Sequence, residues 1–434
     1  NMDRALERAR QTGSVIGVLF LDLDDFKIVN DTYGHDYGDR LLRAVSERLT
    51  ATLRPNDTAA RLGGDEFAAL VEGAPDAADV DSIAERVVAE LAKPFLLDDR
   101  VVSGQASVGG AVSDGTVNGQ DLLRHADLAL YAAKRAGTGQ RRRYHRALHT
   151  AMVQRLELRT ALDQAITDRS LTLRFQPIVA LQMGTTAGFE ALVRWPHVDR
   201  GVLLPDQFIE VAEETGLIVP MGEMVLREAC AAAARWRSAS GSAESPYVSI
   251  NVSARQFRTA GFVASVRSAL QDTALPADRL MLELTESLLL RDDDQVWEDL
   301  AELRRAGVRI AIDDFGTGYS SLSYLRHVPL DALKIDRLFT STITSSAKQA
   351  ALVNGIVTLA HTLGLEVIAE GVELPAEREM LTRFACDYGQ GFHFARPLSA
   401  AGAMAWVQAA MQPALVEEAL DQSALGVPSR SAFS

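Results

Sequence analysis

From residue 171 onward, short β-type runs alternate with helical stretches eight times, and few folds can absorb that rhythm. The runs fall at 173–179, 188–195, 247–252, 280–284, 308–312, 332–335, 366–369 and 388–394. Such alternation predicts an α/β unit, a TIM-like β/α barrel that uses about 240 residues. A chain of 434 residues has room for that barrel and for one more domain. The first part has a different rhythm. A helix over 2–11 precedes an apolar run over 15–23 and a helix opened by Gly38 and Asp39. A strand pair pivoting on Gly63 and Gly64, a helix over 82–92, a β-rich stretch over 101–112 and a helix over 120–136 follow. That order predicts an α+β domain.

The expected boundaries are a domain over 1–146, a helical connector over 147–168, a barrel over 169–412 and a frayed tail over 413–434. The stretch 141–168 is charged and free of proline, which suits a helix better than a flexible tether. Lys plus Arg total 44 against 58 Asp plus Glu, a net charge of −14, which argues against nucleic acid or an anionic membrane as partner. The only cysteines, Cys230 and Cys386, are too far apart for a zinc motif or a disulfide framework, so a cytoplasmic location is expected. No apolar run reaches the roughly 20 residues of a membrane helix. The chain starts within a helical pattern at Asn1, as a piece of a longer protein would.

A β/α barrel carries its chemistry at the C-terminal ends of its strands. In this sequence those ends hold Glu190, Asn251, Glu283, Asp313 with Asp314, Lys334 and Glu370. A buried carboxylate costs several kcal/mol unless it is paired or binds metal. Taken singly, each acid is more often a solvated group or a helix cap. Converging together they call for cations, and oxygen donors select Mg²⁺ or Mn²⁺ over zinc. An adjacent pair such as Asp313 and Asp314 could bridge two ions, the arrangement that cleaves phosphodiesters. Lys334 could orient the water or stabilise phosphorane charge.

Glu190-Ala191-Leu192-Val193-Arg194-Trp195 resembles the signature of the EAL phosphodiesterases, which hydrolyse cyclic di-GMP to linear pGpG. The resemblance covers 171–398. It is carried also by the runs starting at Gln176, Asn251, Glu283, Asp313, Lys334, Glu370 and Gln390. It implies that Glu190, Asn251, Glu283, Asp313, Asp314 and Glu370 hold two Mg²⁺ or Mn²⁺ ions, with Lys334 beside the attacking water. It further implies that Gln176, Arg194 and Gln390 touch the dinucleotide, Arg194 as a phosphate fork. Glu286 would anchor the loop after Asp314, given freedom by Gly316 and Gly318, and Glu373 would be an outer acid.

In the first domain, Gly63-Gly64-Asp65-Glu66-Phe67 suits a tight hairpin, and on its own is no more than a solvated turn. Asp22, late in the apolar run, could meet Asp65 across paired strands and share a metal. With Asp22-Leu23-Asp24-Asp25-Phe26-Lys27, Asn30-Asp31 and the stretch from Gly34 to Asp39, this domain resembles the GGDEF diguanylate cyclases, which have a cyclase-like palm and join two GTP molecules. That resemblance implies Mg²⁺ on Asp22, the Leu23 carbonyl and Asp65, with Glu66 close by. Asn30 and Asp39 would read guanine, and Lys27 and Lys134 would contact phosphates. Arg54 and Asp57 look like the family's inhibitory site for cyclic di-GMP, although a solvated turn begun by Pro55 would look the same. Lys134-Arg135-Ala136-Gly137 is followed by Thr138 where the family carries an Arg, which weakens the triphosphate grip; Arg141, Arg142 and Arg143 either compensate or form a solvated helix cap.

The combined expectation is a tandem GGDEF–EAL protein, a homodimer that hydrolyses cyclic di-GMP and also synthesises it. The alternatives are a phosphodiesterase regulated by a GTP-binding domain, and a non-catalytic cyclic di-GMP receptor. The carboxylate set argues against the second.

Overall fold

A computed structural model describes residues 2–98, 100–114, 116–240, 245–289, 293–316 and 328–410. The expected frayed tail and the stretch from Thr317 to Ser320, with Gly318, lie outside the described residues. The chain divides into two compact units between Leu156 and Glu157. Among the described residues no helix is long and apolar enough to cross a membrane.

Among the described residues the first unit has seven strands: β1 (Val15–Leu23), β2 (Thr58–Gly63), β3 (Glu66–Ala74), β4 (Phe95–Leu97), β5 (Arg100–Val102), β6 (Ala106–Ser113) and β7 (Arg141–Arg143). The main sheet has the order β2-β3-β1-β6-β7, which puts the apolar β1 at its centre. Both faces of β1 are covered. Leu19 and Leu21 meet Leu41, Val45, Ile83 and Val87 from the helices His35–Thr52 and Ala77–Leu91. Ile16 and Val18 meet Ala5, Leu6 and Ala126 from Met2–Thr12 and Gly119–Arg135. The second helix pair lies so close that a Cβ on Gly109 would stand 1.9 Å from the Leu130 nitrogen.

Two expectations need correction here. The helix expected to open at Gly38 begins at His35, because Gly34 (φ 87°) separates it from the preceding helix Phe26–Tyr33. The arginine run 141–143 is no helix cap. It is the edge strand β7, parallel to β6, with Arg141 paired to Asp81 and Glu85 and Arg143 to Asp81.

The helix Arg146–Thr167 follows, and its last turns bury Leu158, Leu162 and Ala165 in the second unit's core. That unit contains β8 (Thr172–Ala180), β9 (Thr186–His197), β10 (Gly201–Leu203), β11 (Tyr247–Val252), β12 (Leu280–Thr285), β13 (Arg309–Phe315), β14 (Ala332–Ile335), β15 (Glu366–Ala369) and β16 (Tyr388–Gln390). Pairing runs β9-β11-β12-β13-β14-β15-β16-β8 and closes from β8 back to β9; β10 extends the end of β9. The alternation fails at one place. Between β8 and β9 there is a turn at Gly184 (φ 70°) in place of a helix, so β8 runs antiparallel to both neighbours. A hairpin can only join antiparallel strands, whereas the parallel strands are joined by crossovers.

Helices seal the outside of the barrel. Trp236, from Ile218–Ser240, packs its ring 5.1 Å from Phe175 and 4.6 Å from Phe189. Inside, Ile178, Tyr247, Met281, Ala311, Ala332 and Ile368 form an apolar plug. Gly188 leaves room for it, since a Cβ there would lie 2.6 Å from the Tyr247 ring.

Candidate active site

Side chains two residues apart in a strand share a face, so the plug fixes what stands above it. Two residues beyond Met281, Ala311, Ala332, Ile368 and Tyr388 come Glu283, Asp313, Lys334, Glu370 and Gln390. On the reversed β8 the same rule works backward, and Gln176 stands two residues before Ile178. The polar ring is therefore one layer of the barrel.

Lys334 is its centre, only 1% exposed. Its Nζ lies 2.5 Å from Glu370 Oε1, 2.7 Å from Glu283 Oε2, 3.4 Å from Asp313 Oδ1 and 3.8 Å from Glu190 Oε2. Burial opposes its charge, yet Asp313, Glu190, Glu283 and Glu370 outweigh that and hold its pKa well above the usual lysine value. Burial also raises the carboxyls: Glu283 goes well above its ordinary range despite the opposing charge of Lys334, and Glu370 is pushed up to about 8. Asn251 Nδ2 donates to Glu190 Oε1 at 2.6 Å. Gln390 Nε2 donates to Glu190 Oε2 at 2.5 Å and to Gln176 Oε1 at 3.2 Å.

The donor set fits divalent metal. Asp313, Asp314 and Glu370 bring carboxylate oxygens within 4.8 Å of one another, the one such grouping of three metal-type ligands among the described residues. Glu283 Oε1 is buried without a hydrogen-bond partner among the described residues. Asp314 adopts a left-handed backbone (φ 54°), its N–H donating to Asp313 Oδ1 at 3.0 Å, and burial, then the Asp313 charge, raises its pKa. All of these carboxylates border one cavity of about 550 Å³, which also reaches Gln176 and Glu373.

Other expected residues stand apart. Arg194 is not among the residues lining that cavity; its guanidinium donates to the Val193 carbonyl at 2.8 Å, and burial, then Arg174, lowers its pKa. Glu373 does line the cavity, where it pairs with Arg337 at 2.8 Å. Glu286 is buried with no partner for either carboxylate oxygen among the described residues, and the loop it was expected to anchor lies largely outside them. Sequence reading missed the helical walls of the cavity, Ile209, Ile218 and Met221, and with them Glu213 and Gln256. Strand-end logic has no signal for residues that helices bring in from the side.

In the first unit, Asp22 on β1 sits opposite Glu66 on β3, and the Leu23 N–H donates to the Asp65 carbonyl at 3.3 Å. Asp22, Asp65, Glu66 and Lys134 are thereby brought together. Lys134, expected on phosphate, reaches Asp22 Oδ2 at 2.6 Å. Burial raises the Asp22 pKa, Lys134 opposes that, and Asp65 and Glu66 add to it. These acids do not close to the spacing seen in the barrel. Asn30 packs on Gly38, where a Cβ would lie 2.0 Å from its Oδ1, whereas Lys27 and Asp39 are exposed. Asp24, not anticipated, accepts from Ser107 Oγ at 2.8 Å and from the Gly139 N–H at 2.7 Å, tying down the loop that carries Thr138. Arg54 forms a two-pronged pair with Asp79 at 2.8 and 2.6 Å, and Asp57 accepts the Arg54 N–H at 2.9 Å within the turn.

A palm-like sheet with a carboxylate hairpin, followed by a barrel with a ring of acids around a lysine, defines a class of two-domain protein. The chain belongs to the tandem GGDEF–EAL family: the diguanylate cyclase GGDEF domain matches residues 1–140 and the EAL domain residues 159–397. It is 43% identical over 402 residues to the bifunctional diguanylate cyclase/cyclic di-GMP phosphodiesterase MucR of Pseudomonas aeruginosa, covering 92% of this chain and 58% of that protein. It is 41% identical to the cyclic di-GMP phosphodiesterase NbdA of the same organism, covering 91% of this chain and 50% of NbdA. The chain thus spans about half the length of these curated relatives. Among solved structures, the PaMucR phosphodiesterase in complex with c-di-GMP matches 56% of this chain and 98% of its own, with a TM-score of 0.54 and 46% identity.

Proposed function

We propose that the barrel hydrolyses cyclic di-GMP to pGpG. The observation that carries this reading is the buried Lys334 ringed by Glu190, Glu283, Asp313 and Glu370 at the floor of an open cavity. A ring of that kind is costly to bury, and a barrel that only bound a dinucleotide would gain nothing from it. Glu190, Asn251, Glu283, Asp313, Asp314 and Glu370 would hold Mg²⁺ or Mn²⁺. Such ions supply Lewis acidity and a nucleophile at neutral pH. A water oxygen bonds to phosphorus, the bond from phosphorus to the 3′ oxygen breaks, and that oxygen takes up a proton. Lys334 holds Glu283 and Glu370 in place and sets positive charge beside the forming phosphorane. Gln390 and Asn251 orient Glu190 by their amide bonds. Gln176 and Arg194 contact the dinucleotide.

For the first domain, over 1–146, we infer synthesis of cyclic di-GMP from two GTP. The meeting of Asp22, Asp65 and Lys134 supports this, and a homodimer would bring two such sites face to face. The loop with Thr138 favours the alternative of a GTP-binding regulator. Two assays test the pair of readings: cyclic di-GMP with Mg²⁺ or Mn²⁺, followed for pGpG, and GTP with the Glu190→Ala protein, followed for cyclic di-GMP. No pGpG in the first refutes the hydrolase; no cyclic di-GMP in the second, at high protein concentration, reduces the first domain to a regulator.

A further inference from the structure

The cavity over the carboxylate ring is itself strongly acidic. Beside the ring's own carboxylates it is lined by Glu213 and Glu373, and among the described residues Arg337 is the one basic residue on its wall. Lys334 stands beneath, its charge met by four carboxylates. A cyclic dinucleotide carries a phosphodiester charge on each side of its macrocycle, and cleavage takes one of them. Divalent ions on the ring acids answer that one. The other comes to rest against an acidic wall, where like charge repels unless a cation stands by.

Arg337 is fixed at both ends. β14 stops at Ile335, and Asp336 caps the short helix Arg337–Thr340, its Oδ1 accepting the Leu338 N–H at 2.8 Å. The Glu370 N–H donates to the Ile335 carbonyl at 3.0 Å, and the Thr340 hydroxyl donates to the Glu370 carbonyl, which ties this helix to the end of β15 that carries Glu370. Gly371, in the left-handed region (φ 64°), seats the arginine stem: a Cβ there would lie 2.3 Å from Arg337 Cγ. At the head, Arg337 Nη2 pairs with Glu373 Oε1 at 2.8 Å, and the Glu373 N–H is held in turn by Glu377 Oε2 at 2.8 Å. Glu373 is the one side-chain partner of Arg337 among the described residues, so most of the guanidinium's planar fork of N–H donors stays available on the cavity wall. The Arg337 side chain is 60% exposed, and an exposed ion pair adds little to stability. Folding alone therefore does not explain the seat.

We propose that Arg337 binds the phosphodiester of cyclic di-GMP that is not cleaved, with Glu373 as the positioning residue that aims its guanidinium. This rests on the hydrolase reading above. A guanidinium fork matches the unbridged oxygens of a phosphodiester, which a lysine meets only as a point charge. Because that phosphate does not react, the contact is the same in the ground state and in the transition state. It therefore acts on KM and leaves kcat alone.

The test is steady-state hydrolysis of cyclic di-GMP with Mg²⁺ or Mn²⁺, over a series of KCl concentrations, for the wild-type chain, Arg337→Ala, Arg337→Lys and Glu373→Gln. Each variant is checked by its circular-dichroism melt. Arg337→Ala raises KM about tenfold with kcat within about twofold, and KM then rises less steeply with salt than in the wild type. Arg337→Lys keeps the charge without the fork and recovers part of that loss. Glu373→Gln loosens the aim and raises KM about threefold. A folded Arg337→Ala whose KM stays within about twofold of an active wild type overturns this proposal alone. So does one whose kcat falls about tenfold at unchanged KM, which puts the arginine on the reacting phosphate. A wild type that releases no pGpG overturns the hydrolase reading and this proposal with it.

Discussion

Each half of the chain pairs a lysine with acids, and the two pairs differ in their solvent. The Lys334 side chain is 1% exposed and meets four carboxylates; that of Lys134 is 43% exposed and, among the described residues, pairs with Asp22. In the barrel, closure of eight strands buries the charges and an apolar plug beneath fixes their height. On the palm sheet, the acids sit at a hairpin whose β2 strand is largely exposed, and water does part of the lysine's work. The lesson is that the same residue types make a preorganised site only where the fold excludes water.

The largest effect that tests this contrast is removal of the central cation. Lys334→Met leaves four acids facing one another and should lower the stability of the ion-free protein by about 3–5 kcal/mol, read from urea unfolding. Millimolar Mg²⁺ should restore much of it. A loss below about 1 kcal/mol would erase the difference between the two sites.

Next comes pH. Glu370 keeps its proton in the folded chain up to about 8, while an unfolded glutamate releases it near 4.5, so folding takes up a proton between those limits. Stability of the ion-free protein therefore declines as pH rises through that window, and divalent metal binds more tightly over the same range. Lys334, held above the usual lysine value, loses its contribution only at higher pH. Thermal melts in chelator from pH 5 to 8 check the direction; a melting temperature that climbs steadily would contradict it.

A smaller effect is expected from Gly38→Ala, whose methyl displaces Asn30 and should cost about 1–3 kcal/mol through overpacking, with weaker GTP binding by calorimetry. The smallest is Lys134→Ala. Its exposed pairing with Asp22 should be worth no more than about 1 kcal/mol. A loss as large as that of Lys334→Met would show the hairpin site to be as dry as the barrel.

Much of the barrel site was legible because strand ends are visible in sequence: Glu190, Glu283, Asp313, Lys334 and Glu370 all stand where alternation puts them. The reversal of β8 was harder to see, since its apolar run looks like the others and only the short turn at Gly184 marks it. Arg141 and Arg143 misled because a basic run looks alike on a helix cap and on an edge strand until Asp81 is brought beside it by the fold. Gln256 and Glu213 were invisible for a related reason: no periodic pattern announces a side chain that helices deliver to a cavity's flank.

The central claim is that the lysine-centred acid ring cleaves a phosphodiester. The most direct measurement is the rate of pGpG release from cyclic di-GMP, with Mg²⁺ or Mn²⁺ and with chelator, for the wild-type chain and Lys334→Met. The account predicts product only with the divalent ion, and a rate at least about a hundredfold lower in the variant. Equal rates for the two proteins, or no product from the wild type with either ion, would contradict it.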